Sequence, residues 1–105
     1  MANTAKALFR GAATTTLTTN LYSVPSATTA VITNIALANS GASAADVTIT
    51  CGTAGSETTL LGAVEVAANT TVVIDLKQVL ATTEVIDGGA TSTDVSFHIS
   101  GMEIA

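Results

Sequence analysis

The chain is short of charge, of aromatic rings and above all of basic residues. Charged side chains make up 10% of its 105 residues, where about 25% is usual. Between Arg10 and Asp46 nothing ionises except the phenol of Tyr22. This lack of charge does not imply disorder, which needs low hydrophobicity and high net charge; here the hydrophobic fraction is 48%. Three basic residues, Lys6, Arg10 and Lys77, against eight acidic ones leave a net charge of -5. So small a basic set cannot follow a phosphate backbone, which excludes nucleic acid as a partner. An anionic membrane surface is excluded on the same ground, and no apolar run approaches the roughly 18–20 residues of a membrane span. The opening MANTAKALFRGAA has two cations but no continuous apolar segment behind them, so it reads as no secretory signal. The expected place of synthesis is a cytoplasm.

Chemistry-bearing residues are equally scarce. Cys51 is the only cysteine, so neither an intramolecular disulfide nor a cysteine metal cluster is available. In DVTITCG it shares an alternating face with Val47 and Ile49, and the expectation is a buried, inert thiol. His98 is the only histidine. If Phe97 and Ile99 point inward, alternation turns His98 outward, away from the face that carries Cys51. No Ser-His-Asp constellation or nucleophile elbow is readable. The glycines of CGTAGSE lack the Lys-Ser/Thr of a phosphate-binding loop and lead into a strand rather than a helix. Glu84, Asp87 and Asp94 bracket DGGATST, but their spacing matches no calcium loop. The reading is therefore no enzyme, no cofactor and no metal. The sequon Asn69-Thr70-Thr71 carries no weight without a secretory signal.

Threonine, alanine and valine fill the chain instead. β-Branched threonine suits a pleated, half-exposed strand, and period-two alternation recurs along the sequence. Strands are expected over Ala5–Ala13, over Thr16–Val24 up to Pro25, and over Thr28–Asn39 with Val31, Ile35 and Leu37 sharing a face with Thr33. ADVTITC follows the turn SGAS. LLGAVEVA and TTVVIDL flank Ala68-Asn69 as a hairpin, with Val64 and Val66 on the side of Val72, Ile74 and Leu76, and Glu65 and Asp75 on the other. A helical turn is expected only at Lys77–Thr82. A weaker strand around Glu84–Ile86 precedes an Asp-Gly-Gly turn. In the last stretch Val95, Phe97 and Ile99 line one face, and the apolar phase slips to Met102 and Ile104 after Gly101, the mark of a bulge. Seven to eight short strands predict an all-β fold, a single antiparallel β-sandwich of jelly-roll-like or Greek-key type. One domain spans 1–105, with residues 1–10 as an N-terminal arm or, alternatively, a plain edge strand with Leu8 and Phe9 in the core.

Faces clad in threonine with few charges meet other protein at little desolvation cost. Left alone in water, a strand such as TTAVITNIALAN would invite pairing. Self-association is therefore expected, rather than a monomer that uses threonine only for solubility.

LYSVPSATTAVITNIALANSGASAADVTI, then LLGAVEVAANTTVVIDL and the final VSFHISGMEI, resembles small virion proteins of tailed bacteriophages. The shared outline is Leu21-Tyr22-x-Val24-Pro25, a strand through ITNI, an Asn-rich turn and a Gly-Glu-Ile-like ending, a place that GMEI (Gly101–Ile104) fills. The likeness covers nearly the whole chain from Leu8 onward. It implies a structural role on a phage particle, and a short chain without fibre repeats fits a capsid decoration (cement) protein best. Such proteins resemble sandwich clamps over junctions of the major capsid protein on the outer capsid surface, often as trimers. The alternative is a tail-tip or fibre module that binds host glycan. The contact candidates are Lys6, Leu8, Phe9 and Arg10 in the N-terminal stretch, with Thr33, Val73 and His98 from the strands.

Overall fold

The alternation of β-branched with small residues leaves extended chain as the economical conformation. The computed structural model of the protein describes residues 3–105 and contains eight strands and, among the described residues, no helix. They are β1 (Asn3–Ala12), β2 (Asn20–Ser23), β3 (Thr29–Asn39), β4 (Ala45–Gly52), β5 (Thr58–Val66), β6 (Thr70–Leu80), β7 (Val85–Ala90) and β8 (Val95–Ile104). One sheet has the order β1-β8-β3-β6 and the other β2-β7-β4-β5, with every pairing antiparallel. Only β4 and β5 are a sequential hairpin; every other step in the chain passes from one sheet to the other. That winding is a jelly roll, so the all-β sandwich expected from the sequence is the fold.

The core lies between the sheets. Val47, Ile49 and Cys51 of β4, and Val95, Phe97 and Ile99 of β8, point into it. Phe97 is the largest fully buried side chain, and the half-buried ring of Phe9 tilts against it at 6.4 Å between centroids. Asn39 is one of two buried polar residues among the described residues, and its amide serves the β3–β4 turn. It donates to the carbonyls of Ser43 at 2.9 Å and Val66 at 3.1 Å, and accepts from the Gly41 amide at 2.9 Å.

Several local expectations give way to the tertiary structure. LLGAVEVA and TTVVIDL do not form a hairpin: β5 and β6 belong to different sheets, and Asn69, at φ 55°, turns the chain across the sandwich. The inward and outward assignments survive, because an arch and a hairpin of this length put the same residues on the same side. The Asp-Gly-Gly segment is not a turn but the middle of β7. Gly89 is required there because the loop after β1 crosses it, and a Cβ would lie 2.3 Å from the Thr16 carbonyl oxygen. That loop takes up Thr16–Thr19, so β2 is shorter than expected. Lys77–Leu80 continues β6 rather than forming a helical turn; the turn comes later, where the Glu84 amide donates to the Ala81 carbonyl at 3.0 Å.

The bulge expected in the last strand at Gly101 is absent; the register shifts at that level lie in the neighbouring strands. β8 runs straight, while β1 inserts Leu8 beside it and β3 inserts Thr33. Further out, β6 sets both Leu76 and Lys77 against Thr33. A line of bulges thus crosses the first sheet at one level. Gly101 permits it, since a Cβ there would meet the Val31 carbonyl oxygen at 2.1 Å and Leu8 Cδ1 at 2.9 Å. The inserted Thr33 reverses parity in β3, so Ala30 and Ile32 join Ile35 and Leu37 inside, and Val31 faces out.

Candidate interaction face

The outer surface of β1-β8-β3-β6 is built in rows that the strand register fixes. One row reads Arg10, His98, Ala36, Val73, and the next toward the sandwich end reads Ala12, Ser96, Ala38, Thr71. On the other side lie Ala7, Ser100, Asn34, Asp75 and then, beyond the bulges, Ala5, Met102, Val31, Val79. All of these are exposed or half-buried. Arg10 and Asp75 are the full charges of these rows, and Lys77 adds a third at the bulge. Val73 and Val79, at 60% and 61% exposure, are the most open large apolar side chains of the described residues. At the bulge, Thr33, Asp75, Leu76 and Lys77 line an open depression of about 450 Å³. The Thr33 hydroxyl donates to the Ser100 carbonyl at 3.3 Å, and Asn34 Nδ2 donates to Asp75 Oδ1 at 2.9 Å.

The opposite outer surface has a different character. Asp46 and Glu65 lie directly across from one another on β4 and β5, and Asp87 on β7 faces Thr50. Glu57, just ahead of β5, stands beside Asp87. Burial and the Glu57 carboxylate push Asp87 up, against a hydrogen bond from Asn20 at 3.1 Å, and the bond to Asp87 holds Glu57 down. These four carboxylates have no Lys or Arg within ion-pair distance among the described residues, where the one ion pair is Lys6–Glu103 at 3.4 Å. Each sheet therefore shows the outside a distinct surface, one nearly neutral and one acidic.

The seven contact candidates do not gather in one place. Arg10, His98, Thr33 and Val73 share the neutral face. Lys6 lies at the side of the sandwich against Glu103, which also accepts from the Tyr22 hydroxyl at 2.5 Å. Leu8 is a correction: it is 6% exposed and belongs to the core, because the bulge in β1 swings it over Gly101. Phe9 is half-buried against that core. From Asn3 on, the stretch considered as an arm is an edge strand paired with β8, and Met1 and Ala2 lie outside the described residues. Val79 belongs to the face but was not among the candidates; the helical-turn expectation at Lys77–Thr82 hid its parity with Val73.

No catalytic arrangement forms around Cys51 and His98. Cys51 is buried in one sheet, where burial and then the Glu84 charge push its thiol up, while His98 is exposed on the outside of the other. Glu84, Asp87 and Asp94 also stay apart. Glu84 accepts from the Ala81 amide at 2.8 Å, Asp87 meets Glu57, and Asp94 stands beside Gly41. Among the described residues no three His, Cys, Asp or Glu side chains converge as metal ligands would.

Compared with known proteins, the chain matches no protein-family model and no curated sequence.

Proposed function

We propose that the chain is a non-enzymatic structural protein of a tailed-phage particle, a decoration protein that sits on the outer capsid surface, spans neighbouring major capsid subunits and steadies the head. The observation that carries this reading is the outer face of β1-β8-β3-β6, which is open to solvent yet nearly free of charge and holds Val73 and Val79 in the open. Covering such a face strips few hydrated charges, so contact with protein costs little there. The acidic face of the other sheet then points away from the shell, where its carboxylates keep the particle surface soluble. Negative charge on the outside also keeps the protein away from the packaged genome, which would repel it. Copies that engage several capsid subunits at once convert weak contacts into one tight attachment. The likeness of Leu21-Tyr22-x-Val24-Pro25 and GMEI to small phage virion proteins agrees with this assignment.

A glycan-binding module at a tail tip needs an exposed aromatic ring or a convergent polar cluster. The aromatic candidate, Tyr22, is 8% exposed and tied to Glu103, so that reading lacks its aromatic contact.

The test is a comparison of particles assembled with and without the protein. Particles without it are expected to release their genome at a lower temperature, and added purified protein is expected to restore the loss unless Val73 is changed to Asp. Equal heat resistance of the two kinds of particle would remove the proposal.

A further inference from the structure

The jelly roll leaves four strand edges, and three of them are poor templates for another strand. β2 has four residues. β5 is broken by two register shifts and by Ala63 at φ 51°. β1 is interrupted by its Leu8 bulge and carries two like charges, Lys6 and Arg10. Such features protect edges from pairing. The fourth edge, β6, is eleven residues long and leaves Thr70, Thr71, Val73, Asp75, Lys77 and Val79 exposed.

The last four of these are symmetric about Leu76: Val73 and Val79 lie three positions to either side, and Asp75 and Lys77 one position. The pattern therefore reads as its own complement when the strand is turned end for end.

We infer that β6 pairs edge to edge with β6 of a second copy, antiparallel and about a twofold axis at Leu76. In this register Val73 of each copy lies opposite Val79 of the other, and Asp75 lies opposite Lys77, both contacts occurring twice. Cross-strand apolar pairs and opposite charges each stabilise such an arrangement. A twofold contact is self-complementary by construction, as this sequence is. Opposite signs on either side of the pivot are what separate a pairing edge from a blocked one, since a blocked edge sets like charges against each other. Lys77 has no carboxylate partner within the chain among the described residues, so its charge is free for the contact. β6 has a bulge of its own at Leu76 and Lys77, so what sets it apart from the other edges is its length and its pair of opposite charges, not an unbroken backbone.

The pairing joins two four-stranded sheets into one continuous sheet and doubles the neutral face. It does not rest on the phage assignment and stands on β6 alone. It also replaces the threefold arrangement that the resemblance implies, because an isologous twofold contact cannot close a trimer.

Light scattering on the purified full chain, across a concentration series, reads the outcome directly. The wild-type mass is expected to approach twice the 10.4 kDa of one chain. Lys77→Asp sets carboxylates opposite each other at both places and is expected to weaken the dimer by about tenfold or more. Val79→Lys, at an exposed site with no side-chain hydrogen bond to lose, is expected to weaken it too. The double exchange of Asp75→Lys with Lys77→Asp restores opposite charges in the reverse sense and is expected to recover the dimer. Far-UV circular dichroism and the unfolding midpoint establish that each variant is folded. A wild type that stays at single-chain mass, a mass of three chains, an unweakened Lys77→Asp dimer, or a folded double exchange that stays apart would each overturn the inference.

Discussion

Asn39 shows how much of this fold one buried side chain can organise. Its amide group closes the β3–β4 turn through Ser43 and Gly41 and reaches Val66 at the end of β5 in the opposite sheet. Asn39→Ala leaves buried polar groups unpaired and is expected to cost about 1–3 kcal/mol. Asn39→Asp keeps the size but turns two donor bonds into a carboxylate facing carbonyl oxygens, so its cost at neutral pH is expected to be larger. Chemical unfolding of the two variants measures the order. An Asp variant as stable as the wild type would mean that the turn does not depend on this amide.

At the scale of elements, a polar tie joins the sheets along one side. The Tyr22 hydroxyl of β2 donates to Glu103 of β8, and Lys6 of β1 stands at 3.4 Å from the same carboxylate. The Tyr22 bond first, and Lys6 after it, hold the Glu103 carboxyl below the usual carboxylate range. Its contribution to stability is therefore complete above the ordinary Glu value of about 4.3 and is lost as pH falls through the lowered value. Burial, followed by the bond to Glu103, raises the Tyr22 phenol well above its ordinary value. That contribution is present below about pH 10 and fades as pH rises beyond it. Tyr22→Phe removes the donor, so the stability advantage of wild type over this variant is expected to shrink as pH drops below about 4. Thermal unfolding of both proteins from neutral to acid pH reads this out, and an advantage independent of pH would contradict it.

The same scale explains what the sequence revealed and what it hid. β4 and β8 were legible because Val47, Ile49 and Cys51, and Val95, Phe97 and Ile99, each line a single buried face. The exposure of His98 followed from the same parity. β7 was not legible, because Asp87-Gly88-Gly89 has turn composition and its glycines answer to a loop distant in sequence. Ala68-Asn69 is short enough for a hairpin or an arch, and only the packing of the two sheets decides between them. Leu8 was ambiguous for a related reason: a bulge in an edge strand is decided by the neighbouring Gly101, far along the chain.

For the whole molecule, the unequal distribution of charge over the two sheets matters more than the total. Asp46, Glu57, Glu65 and Asp87 gather on or beside the β2-β7-β4-β5 face, while the β1-β8-β3-β6 face holds Arg10, Asp75 and Lys77 amid alanine, serine and valine. A subunit with such sides has a preferred way up when it lies on another protein. Pairing through β6 would extend the neutral side without disturbing the acidic one. The most direct measurement is a density map of the assembled particle at a resolution that places individual strands. The account predicts that Val73, Ala36 and His98 lie against neighbouring protein while Asp46 and Glu65 face solvent. A map in which the neutral sheet is bathed in water and the acidic sheet is seated on the shell would contradict it.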